Sequence, residues 1–184
     1  MDEAEILSAI NACQQGNRKS FTSIVQRYQS ALYHFCYHFL GTRQDSEDAS
    51  TDIFIKVYRS LGSFNPRHKF STWLYKIAYN HLVEISRRKK RENRYFGSEM
   101  VHHAEVTVRE TPDSVFFKNA IQEDVKKGLQ SITLNSRTAL MLRYYHQLSY
   151  REICQVMNIP LNTVASLIFR GKKELREKLG TEER

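Results

Sequence analysis

Apolar side chains recur at three- and four-residue steps along most of this chain, the period of helices that bury one face. Ile6, Ala9, Ile10 and Cys13 mark a first helix over residues 3–14, broken at Gly16-Asn17. Phe21, Ile24, Val25, Tyr28, Leu32, Phe35, Cys36 and Phe39 mark a second over 18–40, with Gly41 as its C-cap. A third is expected over 45–60, acidic in its first turn as the helix dipole favours. A loop at 61–69 holds Gly62 and Pro66, and a long helix then runs from Phe70 to about Arg91. Across 92–115 the apolar period fails and Gly97, Ser98, Thr107, Thr111 and Pro112 take over, which reads as a flexible linker. Val101, Val106 and Val108 leave room there for short ordered pieces. The period returns in a helix over 116–129, then in one capped by Thr133 that extends to Tyr145. The fold class is therefore all-α, with two small helical domains over 1–91 and 116–184 joined by the linker.

The last part of the chain carries the sharpest pattern. Ser149 with Glu152 three residues on is a capping box. Ile153, Val156 and Met157 give the following helix one apolar face, and Asn158-Ile159-Pro160 stops it, since proline disfavours a helical residue before it. A second amphipathic helix presents Val164, Ile168, Gly171 and Leu175 on one side. Two short helices joined by a few residues form a helix-turn-helix, whose second helix enters a DNA major groove; the competing reading is an ordinary helical hairpin. On a helical wheel, Asn162, Ser166, Phe169 and Lys173 lie opposite the core face with Arg170 beside them. Asn pairs with adenine, Arg with guanine, and Phe meets a thymine methyl.

Charge sharpens this picture. A formal charge of +8 and a sequence pI of about 9.4 point to a polyanionic partner, nucleic acid or an anionic membrane. No apolar run approaches a membrane span, and the first residues are acidic, unlike a signal peptide, so a cytoplasmic location is expected. Arg87, Arg88, Lys89, Lys90, Arg91 and Arg94 make a basic tract at the end of the long helix. Trp73, Tyr75, Lys76, Tyr79, Asn80 and His81 precede it, and cations beside exposed rings suit single-stranded DNA. A solvated helix end explains the cations equally well, and Trp73 shares the Phe70, Leu74 and Ile77 side, consistent with a structural role. Cys13, Cys36 and Cys154, odd in number and set in apolar patterns, are expected to be buried free thiols. His34 and His38 have metal-ligand spacing but no acid or cysteine completes a set on that face, and His102-His103 is as incomplete. No metal or cofactor is called for. No positioned acid, base or nucleophile is visible, so the chain does not read as an enzyme.

Four blocks follow one another along the chain. Residues 16–28 read Gly-Asn-Arg-Lys-Ser-Phe-Thr-Ser-Ile-Val-Gln-Arg-Tyr, and residues 45–59 read Asp-Ser-Glu-Asp-Ala-Ser-Thr-Asp-Ile-Phe-Ile-Lys-Val-Tyr-Arg. Residues 70–80 read Phe-Ser-Thr-Trp-Leu-Tyr-Lys-Ile-Ala-Tyr-Asn, and residues 142–153 read Leu-Arg-Tyr-Tyr-His-Gln-Leu-Ser-Tyr-Arg-Glu-Ile. In this order and spacing they resemble a bacterial RNA polymerase sigma factor of the extracytoplasmic-function (ECF) class of the sigma-70 family. The resemblance implies that 45–59 binds the β′ clamp helices of core RNA polymerase, with Asp45, Glu47, Asp48 and Asp52 supplying charge and Ile53, Phe54 and Val57 packing. It implies that the 61–69 loop and the long helix capture the melted −10 promoter strand through Asn65, Lys69, Lys76, Asn80, Arg87, Arg88 and Lys90. It implies that the second domain reads the −35 element through Asn162, Thr163, Ser166, Phe169, Arg170, Lys172 and Lys173. The implied partners are the β′ and β subunits of core polymerase, promoter DNA, and an anti-sigma factor, in many relatives membrane-anchored.

Three departures from the family pattern stand out. Thr51-Asp52 replaces a common Gln-Glu pair, Ala165 and Leu167 replace two cations of the recognition helix, and Cys154 stands where a small Ala is usual, a packing position rather than a redox sensor. Two other classes compete. A free-standing helix-turn-helix regulator has no use for the acidic-apolar segment 45–59, and a nucleic-acid-processing enzyme would show a catalytic constellation.

Overall fold

The computed structural model describes residues 3–95 and 128–179, with side chains to residue 92 in the first stretch. The chain forms two compact units, and all regular elements among the described residues are helical. The predicted helix over 116–129 and most of the predicted linker lie outside the described residues, although residues 128–131 are helical.

The first unit contains α1 (Glu3–Gln14), α2 (Phe21–Leu40), α3 (Arg43–Ser60) and α4 (Phe70–Tyr95). A 3-10 turn, Arg18–Ser20, leads into α2, where one continuous helix was expected. Gly41 closes α2 with φ +82, the left-handed conformation that suits glycine at a C-cap. α3 begins two residues earlier than expected, because the Thr42 hydroxyl accepts from the Asp45 backbone N–H at 3.3 Å. α4 runs through Tyr95, into the segment expected to be linker.

Periodicity decides what this unit buries. Ile6 and Ile10 of α1, Ile24, Leu32, Phe35 and Cys36 of α2, Ala49, Ile53 and Val57 of α3, and Phe70, Leu74, Tyr75, Ala78 and Leu82 of α4 form its core. Each fully buried large side chain contributes about 1.5–3 kcal/mol. The Cys36 thiol, pushed up to about 12 by burial, is inert. Cys13 and Cys154 correct the expectation of buried thiols: both are half-buried, each at the margin of its helix's apolar face.

The second unit contains α5 (Leu134–Leu140), continued by a π-helical turn at Met141–Tyr145, then α6 (Tyr150–Met157) and α7 (Leu161–Leu179). Thr133 caps α5 as expected, its hydroxyl accepting from the Ser136 N–H at 3.4 Å. The capping box at α6 is reciprocal: the Ser149 N–H donates to Glu152 Oε2 at 2.6 Å, and the Glu152 N–H to Ser149 Oγ at 3.3 Å. Asn158 ends α6 with φ +53. Ile153, Val164, Leu167 and Ile168 are buried together with Leu140 and Leu142 in this unit's core. Gly171 lets α7 lie close on α5, since a Cβ there would come within 3.0 Å of Leu140 Cδ1 and 3.1 Å of Ser136 Cβ.

Candidate nucleic-acid and polymerase interfaces

On α3 the i, i+4 row Ala49, Ile53 and Val57 turns inward. Ile53 and Val57 are fully buried, which corrects their assignment as polymerase contacts: they have no surface to offer a partner. Phe54 is half-buried, with its ring 6.4 Å from Phe21 in an edge-to-face arrangement. The outward face carries Glu47, Asp48, Thr51, Asp52, Ile55 and Tyr58, with Ile55 44% and Tyr58 38% exposed. The acidic residues differ in how committed they are. Asp45 accepts from Lys89 Nζ of α4 at 2.6 Å and hydrogen-bonds the Thr42 hydroxyl. Burial opposes ionisation of its carboxyl, but the hydrogen bonds from Lys89 and Thr42 prevail and hold it below the usual carboxylate range. Glu47 pairs with Arg43 at 2.7 Å on the same helix. Asp48 and Asp52 are exposed. Of the predicted contacts, Asp48, Asp52 and in part Phe54 are therefore placed to meet a partner, and Ile55 is an apolar group the sequence reading missed.

The 61–69 loop is pinned from below. Gln14 of α1 donates to the Leu61 carbonyl at 2.9 Å. Phe64 is buried, its ring 5.5 Å from Phe70 and 5.3 Å from Trp73. This fixes Trp73 as a half-buried member of an aromatic cluster. Asn65 Oδ1 accepts from the Arg67 N–H at 3.0 Å, a turn that leaves Asn65 through Lys69 exposed. Along α4, Lys76, Asn80, Arg87, Arg88 and Lys90 are all exposed. The expected row of exposed rings beside them is corrected: Tyr75 is buried and Tyr79 half-buried, because both fall on the apolar period that packs α4 on the bundle.

Asn80 lies in a shallow groove of ≈ 350 Å³ between α3 and α4, lined also by Lys56, Arg59, Ser60, Ile77, His81 and Glu84. Lys56 and Arg59 were not singled out from sequence, because only the tertiary pairing of α3 with α4 brings them beside Asn80.

In the second unit α7 divides cleanly. Val164, Leu167, Ile168 and Gly171 are buried, whereas Asn162, Thr163, Ser166, Phe169, Arg170, Lys172 and Lys173 are exposed. Phe169 stands 71% exposed. The Ser166 hydroxyl donates back to the Asn162 carbonyl at 2.8 Å, which occupies its proton. Each predicted cation has a partner on the protein: Lys172 sits 5.0 Å over the Tyr144 ring, Lys173 reaches Glu177 at 4.0 Å, and Arg170 Nε donates to the Ser166 carbonyl at 3.4 Å. Leu167 belongs to the buried row that packs α7 on the core.

Among the described residues, no group of three or more His, Cys, Asp or Glu side chains could hold a metal ion, and no helix is long and apolar enough to cross a membrane.

Residues 24–92 match the family model described as Sigma-70 region 2, and residues 123–175 match Sigma-70, region 4. The chain is 30% identical to the ECF RNA polymerase sigma factor SigW of Bacillus subtilis, covering 96% of this chain and 98% of the relative. It is 32% identical to the RNA polymerase sigma-H factor of Pseudomonas aeruginosa, covering 92% and 91%. Among solved structures, the sigma factor RpoE of Bartonella quintana, in complex with the anti-sigma factor NepR, has the same fold at a TM-score of 0.77 and 22% identity, over 90% of this chain and 99% of that one. CnrH, in complex with the cytosolic domain of CnrY, gives a TM-score of 0.69 at 20% identity, over 99% and 100%.

Proposed function

Because the chain belongs to the ECF RNA polymerase sigma factors of the sigma-70 family, and so directs the polymerase to promoters, we propose how its two units divide that task. The first unit (residues 1–91) docks on core polymerase and holds the melted −10 strand. The second (residues 116–184) reads the −35 duplex, and residues 92–115 join them. The outward face of α3, with Asp48, Asp52 and Ile55, meets the β′ clamp helices; Asp45 acts from behind by tying α3 to α4. Lys69, Lys76, Asn80 and the groove cations Lys56 and Arg59 face the unpaired strand, and Arg87, Arg88 and Lys90 hold phosphates. The chain contributes specificity, and the core contributes the chemistry. Its partners are core polymerase (β′ and β), promoter DNA and, as for the neighbours whose structures hold one, an anti-sigma factor, membrane-anchored or not. A free-standing regulator does not account for a first unit that matches region 2.

The observation that carries this reading is the division of α7, whose buried row fixes it on α5 and whose exposed row presents Asn162, Phe169 and Arg170 together. Such a face reads base edges, at about 1–3 kcal/mol of discrimination for a good bidentate contact. The test is footprinting by the reconstituted holoenzyme on promoters varied at single −35 positions. Phe169→Ala and Asn162→Ala should each erase discrimination at one or two −35 positions and leave −10 preferences intact. Unchanged −35 preferences in both variants would refute the assignment.

A further inference from the structure

His81 lines the groove between α3 and α4 and is nine-tenths buried, with its side chain 10% exposed. Its Nδ1 lies 2.8 Å from Lys56 Nζ. An ammonium has only protons to give, so at this distance Nδ1 accepts and the ring is neutral, protonated on Nε2. Nε2 is buried, makes no hydrogen bond and faces Asp52 Oδ2 at 3.7 Å. Lys56 has a second partner, Glu84 Oε2 at 3.5 Å, and lines the groove beside Arg59 and Asn80.

We propose that His81 is a positioning residue whose neutral imidazole holds the Lys56 ammonium at the lip of the groove beside Asn80. Protonation of the ring then releases Lys56 and weakens capture of the melted promoter strand. The proposal rests on the strand-binding reading of this groove. A proton on Nδ1 removes the acceptor and sets two cations against each other at hydrogen-bond distance, so Lys56 must leave.

The charged groups acting on the ring are Lys56 and Asp52 of α3 and Glu84 and Arg88 of α4. Burial comes first, and with Lys56 it outweighs Asp52 and Glu84, keeping the ring below the ordinary histidine value of 6.5. A depressed histidine contributes stability that is present above 6.5 and is lost as pH falls below it. Acid therefore costs stability, chiefly because a buried ring must take up charge, even though the protonated ring gains the Asp52 carboxylate as a partner.

The test compares holoenzymes reconstituted from one core polymerase with wild-type chain, His81→Gln, His81→Leu and Lys56→Ala, measuring promoter opening from about pH 7.5 down to about pH 5.5, either side of the ordinary value. Circular dichroism at each pH confirms that each chain is folded. Glutamine keeps a neutral acceptor at every pH. His81→Gln should open promoters within about twofold of wild type at the upper pH and lose most of the acid sensitivity, which in the wild-type chain follows a protonated-to-neutral ring ratio that rises about tenfold for each unit the pH falls. His81→Leu should already fall toward the Lys56→Ala level at the upper pH. In the full chain, the imidazole resonances of His81 should titrate below the ordinary value, with Lys56 shifting in step. A His81→Gln holoenzyme with the wild-type pH profile, or a Lys56 that does not follow the ring, overturns the positioning role. Lys56→Ala opening promoters like wild type while Lys56 still follows the ring overturns the strand-binding reading on which the proposal rests, and the two failures are distinguishable.

Discussion

Leu167 shows how one buried side chain limits what the second unit can do with charge. It is 8% exposed, against the α5 side of α7, while Ala165 two positions earlier is exposed. Ala165→Lys should tighten binding of the holoenzyme to many promoter sequences and leave the melting temperature nearly unchanged. Leu167→Arg should cost about 2 kcal/mol or more of stability even with some snorkelling of the long side chain, read as a lower thermal midpoint. Equal midpoints for the two variants would contradict the burial of Leu167. Much at this scale is legible from periodicity: the wheel places Asn162, Ser166, Phe169 and Lys173 outward and Val164, Ile168 and Gly171 inward, as the structure has them. Ile53 and Val57 enter the polymerase-binding set only through the family resemblance of 45–59, whereas their i, i+4 spacing with Ala49 marks them as the inward row. Ile55 lies between them on the other face.

At the scale of elements, α3 does two jobs on two faces. Its inner row packs on α2 and α4, and its outer row of Asp48, Asp52 and Ile55 is open. Asp48→Arg and Ile55→Asp should each weaken binding of core polymerase at least tenfold, about 1.4 kcal/mol, with stability changes within about 0.5 kcal/mol, as for exposed sites. Phe54→Ala should lower both affinity and stability, because the ring is half-buried against Phe21. Titration of core polymerase with labelled chain reads the affinities; unchanged affinity in both exposed variants contradicts the assignment of this face. Helix existence, the Thr133 cap and the Ser149–Glu152 box were legible because each is a local pattern. The Asp45–Lys89 tie and the Lys56–His81 contact were not, since they join residues 44 and 25 positions apart that only the packing of α3 on α4 brings together.

For the whole molecule, charge and organisation matter together. The two-unit division was legible because the apolar period fails across 92–115 and returns beyond it, while the extent of α4 through Tyr95 was hidden by a charged sequence that favours helix without an apolar stripe. Replacing Arg87, Arg88 and Lys90 by Ala should weaken holoenzyme binding across promoter sequences alike and reduce the salt slope by up to about one unit per lost phosphate contact. Loss confined to one promoter sequence would contradict a phosphate role. Reading two elements with tethered units raises effective affinity beyond that of either unit, so Ala165 and Leu167 are tolerated where a cation would add phosphate contact. The most direct test of the account is run-off transcription by core RNA polymerase on a promoter library, with and without the full chain. The account predicts transcripts that start at discrete promoters only when the chain is present. It also predicts that Asn80→Ala with Lys76→Ala abolishes them, while Asn162→Ala with Phe169→Ala shifts their −35 preference. Start sites that do not depend on the chain, or that respond to neither pair, would contradict it.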